Sequence, residues 1–254
     1  MELLKQDYLP PNLALLTKAT GIDGTVAVQA RQTLAETEWL LDLADRYALI
    51  KGVVGWLDLC SPHLPDQLAR FAGHPKLCGI RHVVQDEPDD QFMLREEFVR
   101  GIGLLAGHNL TYDILIYPRH LPAACELVAR FPDQPFVLDH IAKPCIKDGR
   151  LEPWGAGIRR LAAMPNVFCK VSGMVTEADW QDWQQIDFQP YLELVFEAFG
   201  PERIMFGSDW PVCTVAASYA AVLDLVAAYV RQLSASEQAR VWGETAQEFY
   251  RLDQ

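Results

Sequence analysis

The sequence predicts an α/β fold built on a parallel sheet, carried by one domain over residues 1–254. Three observations predict it. Short apolar runs alternate with stretches of helical periodicity along the whole chain. Those runs are mostly apolar throughout, as in strands buried on both faces, and such strands belong to parallel sheets. No composition break or flexible linker divides the 254 residues, half of which are hydrophobic, and that is enough for one large core.

The elements follow in order. "GTVAVQA" (24–30) reads as a strand, and a helix over 33–49 follows it, with Thr33 and Glu36 at the spacing of a capping box. The next strand is "KGVVGWLDL" (51–59), then a helix over 65–73 closed by Gly73. "GIRHVV" (79–84) is a strand before a helix over 94–107, and "TYDILIYP" (111–118) is a strand before a helix over 121–131. "PFVLDHI" (135–141) precedes a helix over 154–164, and "NVFCKVSG" (166–173) precedes helices over 177–183 and 189–200. "RIMFGSDW" (203–210) is the seventh and last strand. Helices over about 215–232 and 236–250 finish the chain, with Ser234 and Glu237 spaced to cap the second.

Composition narrows the partners. A formal net charge of -12, with Lys and Arg scattered singly, argues against nucleic acid or an anionic membrane. No stretch approaches the roughly 18 apolar residues that span a bilayer, and the start "MELLKQDYLPPN" lacks a signal-peptide layout. Six cysteines without a CxxC pair read as reduced thiols of a cytoplasmic protein.

Two architectures fit strict β–α alternation, an open doubly wound sheet and a closed (β/α)8 barrel. No G-x-G-x-x-G follows the first strand, which removes the dinucleotide-binding version of the open sheet. Polar residues gather where a barrel would carry an active site, at the C-terminal ends of the strands. Gln29, Asp58, Arg81, His82, His140, Lys170, Ser172 and Asp209 all sit late in their strands. Alternation groups Phe136, Leu138 and His140 on one face, leaving Asp139 on the other. Phe168, Lys170 and Ser172 share a face, as do Met205, Gly207 and Asp209. Each residue also has a plain structural reading. Arg81 could pair with Glu87 or Asp113, Lys170 could neutralise a neighbouring carboxylate, and Asp209 could cap the loop after it.

Four segments carry a resemblance: "GIRHVVQDEPDD" (79–90), "FVLDHIAKP" (136–144), "NVFCKVSGMVTEADW" (166–180) and "RIMFGSDWPVC" (203–213). Together they resemble the sugar-lactonase branch of the amidohydrolase superfamily, which includes enzymes of the L-fuconolactonase and L-rhamnonolactonase type. The resemblance runs over essentially the whole chain. It implies a (β/α)8 TIM-barrel-like fold, with Asp209 as the general base at the end of the last strand. It also implies that His140 is the histidine of the fifth or sixth strand, and that Arg81 faces the substrate.

The chain departs from the family at its start. Members open with a strand carrying H-x-H, yet no two of the six histidines here are two residues apart. The expectation is therefore a barrel whose first strand is missing, so that seven strands are visible and the domain is N-terminally incomplete. Met1 then reads as an internal methionine taken as a start, or the chain as truncated. Zinc is expected only if an H-x-H strand is present, because His140 and Asp209 supply two ligands where a catalytic zinc takes three; no metal residues are assigned.

Opening a lactone requires an activated water, a stabilised oxyanion and a proton for the leaving alkoxide. The expected catalytic residues are Asp209 and His140. The expected substrate-binding residues are Arg81, His82, Lys143, Lys170, Ser172 and Trp210, with Arg81, together with His140 or Lys143, beside the oxyanion and Lys170 and Ser172 on ring hydroxyls. A neutral sugar lactone is favoured over a 2-pyrone dicarboxylate, which would want several arginines at the rim. The rival readings are a metal-dependent decarboxylase of the same superfamily and a non-catalytic barrel that binds a sugar or a partner. Oligomeric state stays open, a homo-oligomer included.

Overall fold

The computed structural model describes residues 2–252. Its elements are α1 (Pro10–Thr20), β1 (Thr25–Val28), α2 (Leu34–Arg46), β2 (Ile50–Gly55), α3 (Leu64–Phe71), β3 (Leu77–His82), α4 (Glu96–Leu105), β4 (Thr111–Ile114) and α5 (Leu121–Arg130). They continue with β5 (Phe136–Leu138), α6 (Trp154–Ala162), β6 (Val167–Val171), α7 (Gln185–Phe199), β7 (Ile204–Phe206), α8 (Tyr219–Val230), α9 (Ala235–Ala239) and α10 (Thr245–Tyr250). The seven strands form one sheet in chain order, and every neighbouring pair is parallel.

The sheet curls into an incomplete barrel. One interior cluster joins Val26 and Val28 of β1, Val54, Cys78, Val137 and Phe168, and Met205 of β7. The two edge strands thus share one concave face, yet among the described residues they are not paired with each other. Seven strands and an open seam between β1 and β7 match the expected (β/α)8-like barrel. No helix of the described residues is long and apolar enough to cross a membrane.

Two cores divide the apolar residues. The larger lies between sheet and helices and includes Ile80, Tyr112, Phe136 and Leu138 from the strands and Phe98, Leu127 and Ile158 from the helices. Phe98, Tyr112 and Phe136 meet edge to face along it. The smaller is the interior cluster, closed from below by Phe249, Tyr250 and Leu252 at the end of the chain. The C-terminal helix is therefore a plug in the barrel floor, and Phe168 packs on Phe249 with ring centres 4.8 Å apart.

Local signals explain most boundaries. Thr33 caps α2 by accepting from the Glu36 amide, but the Glu36 carboxylate turns to the amides of Ala30 and Arg31 instead of closing the box. Ser234 and Glu237 do form a reciprocal box at α9. Three expectations need correction. The helix α1 was not expected. Residues 177–183 form no α-helix: a 3₁₀ turn over Val175–Glu177 leads into a turn in which Asp179 accepts from the Gln181 amide. The helix α3 ends at Phe71, with Ala72 rather than Gly73 as its cap.

Candidate active site

The site is built on a break in strand parity. β5 ends at Leu138, and His140, Ile141, Ala142 and Lys143 then all take positive φ, between 48° and 59°. A left-handed run costs about 1–2 kcal/mol for each residue with a Cβ, so surrounding contacts must hold it. The Trp154 indole donates to the Ile141 carbonyl at 2.7 Å, and the Lys143 amide donates to the His140 carbonyl at 2.8 Å. This corrects the expected grouping. Phe136 and Leu138 face the helices, while Val137 faces the interior, as does Asp139 beyond it. His140 reaches the rim because its backbone is left-handed, not because it alternates with Phe136.

At the rim the His140 Nδ1 lies 2.8 Å from the Ser172 hydroxyl, and its Nε2 lies 3.6 Å from Asp209 Oδ1. Gly173 makes room for the ring. A Cβ there would stand 2.7 Å from His140 Nδ1, and its φ of 63° also favours glycine. Burial lowers the pKa of His140 and outweighs the pull of Asp209 and Asp139, so the imidazole is held toward its neutral form. Asp209 lies past the end of β7 with a φ of 54°, and the bond after the next residue, Trp210–Pro211, is cis.

Arg81 and Lys170 turn inward and are engaged by protein. Arg81 Nη1 donates to Asp139 Oδ2 at 2.8 Å, and Nη2 donates to the Gln29 carbonyl. The Lys170 ammonium donates to Asp113 Oδ2 at 2.5 Å and lies 2.7 Å from Asp139 Oδ1. The partner of Arg81 is thus neither Glu87 nor Asp113, and Lys170 neutralises two carboxylates. Both carboxylates are fully buried. Burial would raise Asp139, but Lys170 and Arg81 hold it well below the usual carboxylate range. Asp113 is instead pushed up to about 6 by burial, against the pull of Lys170.

His82 is also satisfied by protein. Its Nε2 lies 2.7 Å from Glu87 Oε1, its Nδ1 accepts from the Trp56 indole at 3.4 Å, and its ring stacks on Phe92. Burial lowers its pKa despite Glu87, which suits a neutral ring with the proton on Nε2. Trp210 is half-buried, edge-on to Tyr8 with ring centres 5.2 Å apart. Lys143 has its ammonium 3.8 Å from Glu177 Oε1 and 5.7 Å from the centre of the Tyr117 ring. The structure thus brings His140, Ser172 and Asp209 together and sets Lys143 beside Glu177. It ties Arg81, Lys170 and His82 to other protein groups.

The Amidohydrolase family model, Amidohydro_2, matches residues 3–252. The chain belongs to the amidohydrolase family. It is 43% identical to an L-fucono-1,5-lactonase from Burkholderia multivorans, over 99% of this chain and 88% of the relative. It is 38% identical to an L-fucono-1,5-lactonase from Burkholderia ambifaria, over 100% of this chain and 88% of that one. A crystal structure of an amidohydrolase from Burkholderia multivorans with bound zinc superposes with a TM-score of 0.96 at 43% identity, covering 100% of this chain and 92% of that one.

A zinc-bound structure within the family raises the question of fit. Catalytic zinc takes three protein ligands and leaves a fourth position open. His140 and Asp209 meet here, but among the described residues no group of three His, Cys, Asp or Glu side chains is placed to hold a metal. The described residues therefore do not fit a catalytic zinc, and no chemical step is routed through one.

Three residues of the site went unread in the sequence. Asp139 was set opposite Phe136 and Leu138, where it lies, but was given no part in the site. Glu177 sat in a segment taken for a helix; burial raises its pKa, and Asp209 adds to that rise against the pull of Lys143. Glu87 was weighed as a partner for Arg81, and its spacing of five residues from His82 carried no helical or strand signal.

Proposed function

We propose that this protein is a single-domain hydrolase that opens a neutral sugar-derived lactone to the hydroxy acid, with L-fucono-1,5-lactone the first substrate to try. The observation that carries the reading is the Asp209–His140–Ser172 line at the C-terminal rim of the barrel. Near-full-length similarity to two lactonases supports it. In this reading Asp209 takes a proton from a water as the water oxygen attacks the lactone carbonyl. Lys143, at the mouth, faces the oxygen on which negative charge develops. The tetrahedral adduct collapses with cleavage of the ring C–O bond, and the proton goes to the leaving alkoxide. Ser172 orients the His140 imidazole beside the reacting acid.

Arg81, Lys170 and His82 support the pocket from behind in this scheme, because protein groups already engage both Arg81 Nη atoms, the Lys170 ammonium and both His82 ring nitrogens. Trp210 offers an indole face to the sugar ring. The substrate is a small molecule. The reaction is assigned to the cytoplasm, in keeping with six cysteines that all stand as free thiols. The test is a pH-indicator screen of aldonolactones with wild type and Asp209→Asn. The expected result is turnover by wild type and loss of about 10²- to 10⁴-fold in kcat for the variant. No turnover of any lactone by wild type would return the protein to a sugar-binding barrel.

A further inference from the structure

The charged groups of the barrel interior form one continuous chain. The Tyr250 hydroxyl donates to Asp113 Oδ2 at 2.7 Å. Lys170 donates to the same oxygen at 2.5 Å, and its ammonium also lies 2.7 Å from Asp139 Oδ1. Arg81 then joins Asp139 Oδ2 to the Gln29 carbonyl, and the Gln29 side-chain amide donates back to the Arg81 carbonyl at 3.0 Å. The line crosses from α10 through β4, β6, the end of β5 and β3 to the end of β1. Two cations face two anions, and Tyr250 is buried with them.

A buried ionic set of this kind is weak evidence for stability, because desolvation offsets its Coulombic gain. What it fixes is position. Asp139 is the residue immediately before the left-handed run 140–143, and a planar peptide bond joins it to His140. Lys170 and Arg81 each take one oxygen of Asp139, at 2.7 and 2.8 Å. The Tyr250 hydroxyl meets the carboxylate that holds Lys170 from below, and the Lys170 ammonium also sits 5.6 Å from the centre of the Tyr250 ring. The C-terminal plug is thus the outer anchor of the turn that presents His140 and Lys143.

We infer that Tyr250 is a positioning residue for the rim: its hydroxyl completes the chain Asp113–Lys170–Asp139–Arg81, which fixes the turn carrying His140 and Lys143. The kinetic consequence rests on the lactonase reading above, whereas the structural coupling does not.

The experiment compares wild type, Tyr250→Phe and Phe249→Leu by imidazole NMR and by lactone kinetics. Tyr250→Phe keeps the ring and removes the donor to Asp113. Phe249→Leu loosens the plug, because its ring packs edge to face on Tyr250 at 4.8 Å, while keeping the Tyr250 hydroxyl and every hydrogen bond donor and acceptor of the chain. The expected result is that Tyr250→Phe moves the His140 ring resonances while those of His63 and His74 at the surface stay in place. With a lactone substrate, kcat falls about 10- to 100-fold, as for a misplaced catalytic group, and KM stays within about twofold. Phe249→Leu lowers Tm and leaves the His140 resonances and kcat unchanged. Should Tyr250→Phe fail to fold, Asp113→Asn gives the same two readouts from the next link of the chain. Unmoved His140 resonances in Tyr250→Phe overturn the inference, as do equal shifts in both variants. So does an unchanged kcat in a wild type that turns over lactone. If wild type turns over no lactone, the lactonase reading fails, and the imidazole resonances alone decide the coupling.

Discussion

In the interior layer of the barrel every charged side chain touches an opposite one, at 2.5 to 2.8 Å. At the rim, a few ångströms further along the same strands, the corresponding separations are 3.6 Å for His140 and Asp209 and 3.8 Å for Lys143 and Glu177. The two layers draw on the same residue types. The interior ions neutralise one another at short range and so hold shape, even though Gln29 Oε1, Arg81 Nε and Asp113 Oδ1 are buried there without a hydrogen-bond partner; the rim holds its ion pairs at longer range, where a ligand can come between them. Arg81 and Lys170 therefore read as scaffold, although their places late in β3 and β6 resemble those of substrate contacts.

The largest expected effect tests the rim. Asp209→Asn should leave the fold intact by circular dichroism and cost about 10²- to 10⁴-fold in kcat. A variant as active as wild type would remove the functional half of the contrast. Next is the interior. Lys170→Met leaves Asp113 and Asp139 buried without their shared cation, and urea unfolding should show a loss of about 3–5 kcal/mol. A loss under about 1 kcal/mol, the range of exposed ion pairs, would mean that the interior ions do not hold shape as described.

Gly173→Ala acts at the junction. Its Cβ would press on His140 from 2.7 Å in a left-handed backbone position, so kcat should fall about 10- to 100-fold. An unchanged rate would show that the imidazole has slack. The smallest effect is a pH dependence. Asp113 is pushed from 3.8 up to about 6, with Lys170, Asp139, Tyr250 and Cys78 facing it. The folded chain holds that proton more tightly than the unfolded chain. This group's contribution to stability is therefore greatest below about pH 4 and falls as pH rises to about 6. Asp113→Asn removes the fall, so the wild-type advantage over the variant should shrink across that window in chemical denaturation. A constant difference would place the Asp113 carboxyl at its ordinary value.

The sheet was readable because its evidence is local. All seven strands lie within or beside the expected apolar runs, and the Ser234–Glu237 box stands where the spacing put it. Strand-end placement also found Asp209, His140 and Ser172 together. The partners of Arg81 and Lys170 were not readable, because which inward residues meet depends on the stagger between strands. Tyr250 meets Asp113 across 137 residues, with no sequence pattern linking them. His140 was misgrouped with Phe136 and Leu138 for a sharper reason: period-two alternation holds only while the backbone stays extended, and from His140 the backbone is left-handed. The segment 177–183 has helix-like acidic and aromatic composition, but Asp179 satisfies the backbone locally and a turn results.

A strand normally offers the inside of a barrel every second residue, so a structural residue and a chemical one must be separated by at least one position. The left-handed step after Asp139 lifts that restriction, so that Asp139 and His140, neighbours in the chain, serve the interior and the rim. Scaffold and chemistry are then written in adjacent codons. Insertion or deletion of a single codon at that point would exchange their places, and the protein would lose its anchor and its imidazole in one event. Elsewhere on the rim, where loops intervene, changes in length can be absorbed. Here the spacing itself is the constraint, more stringent than the identity of either residue.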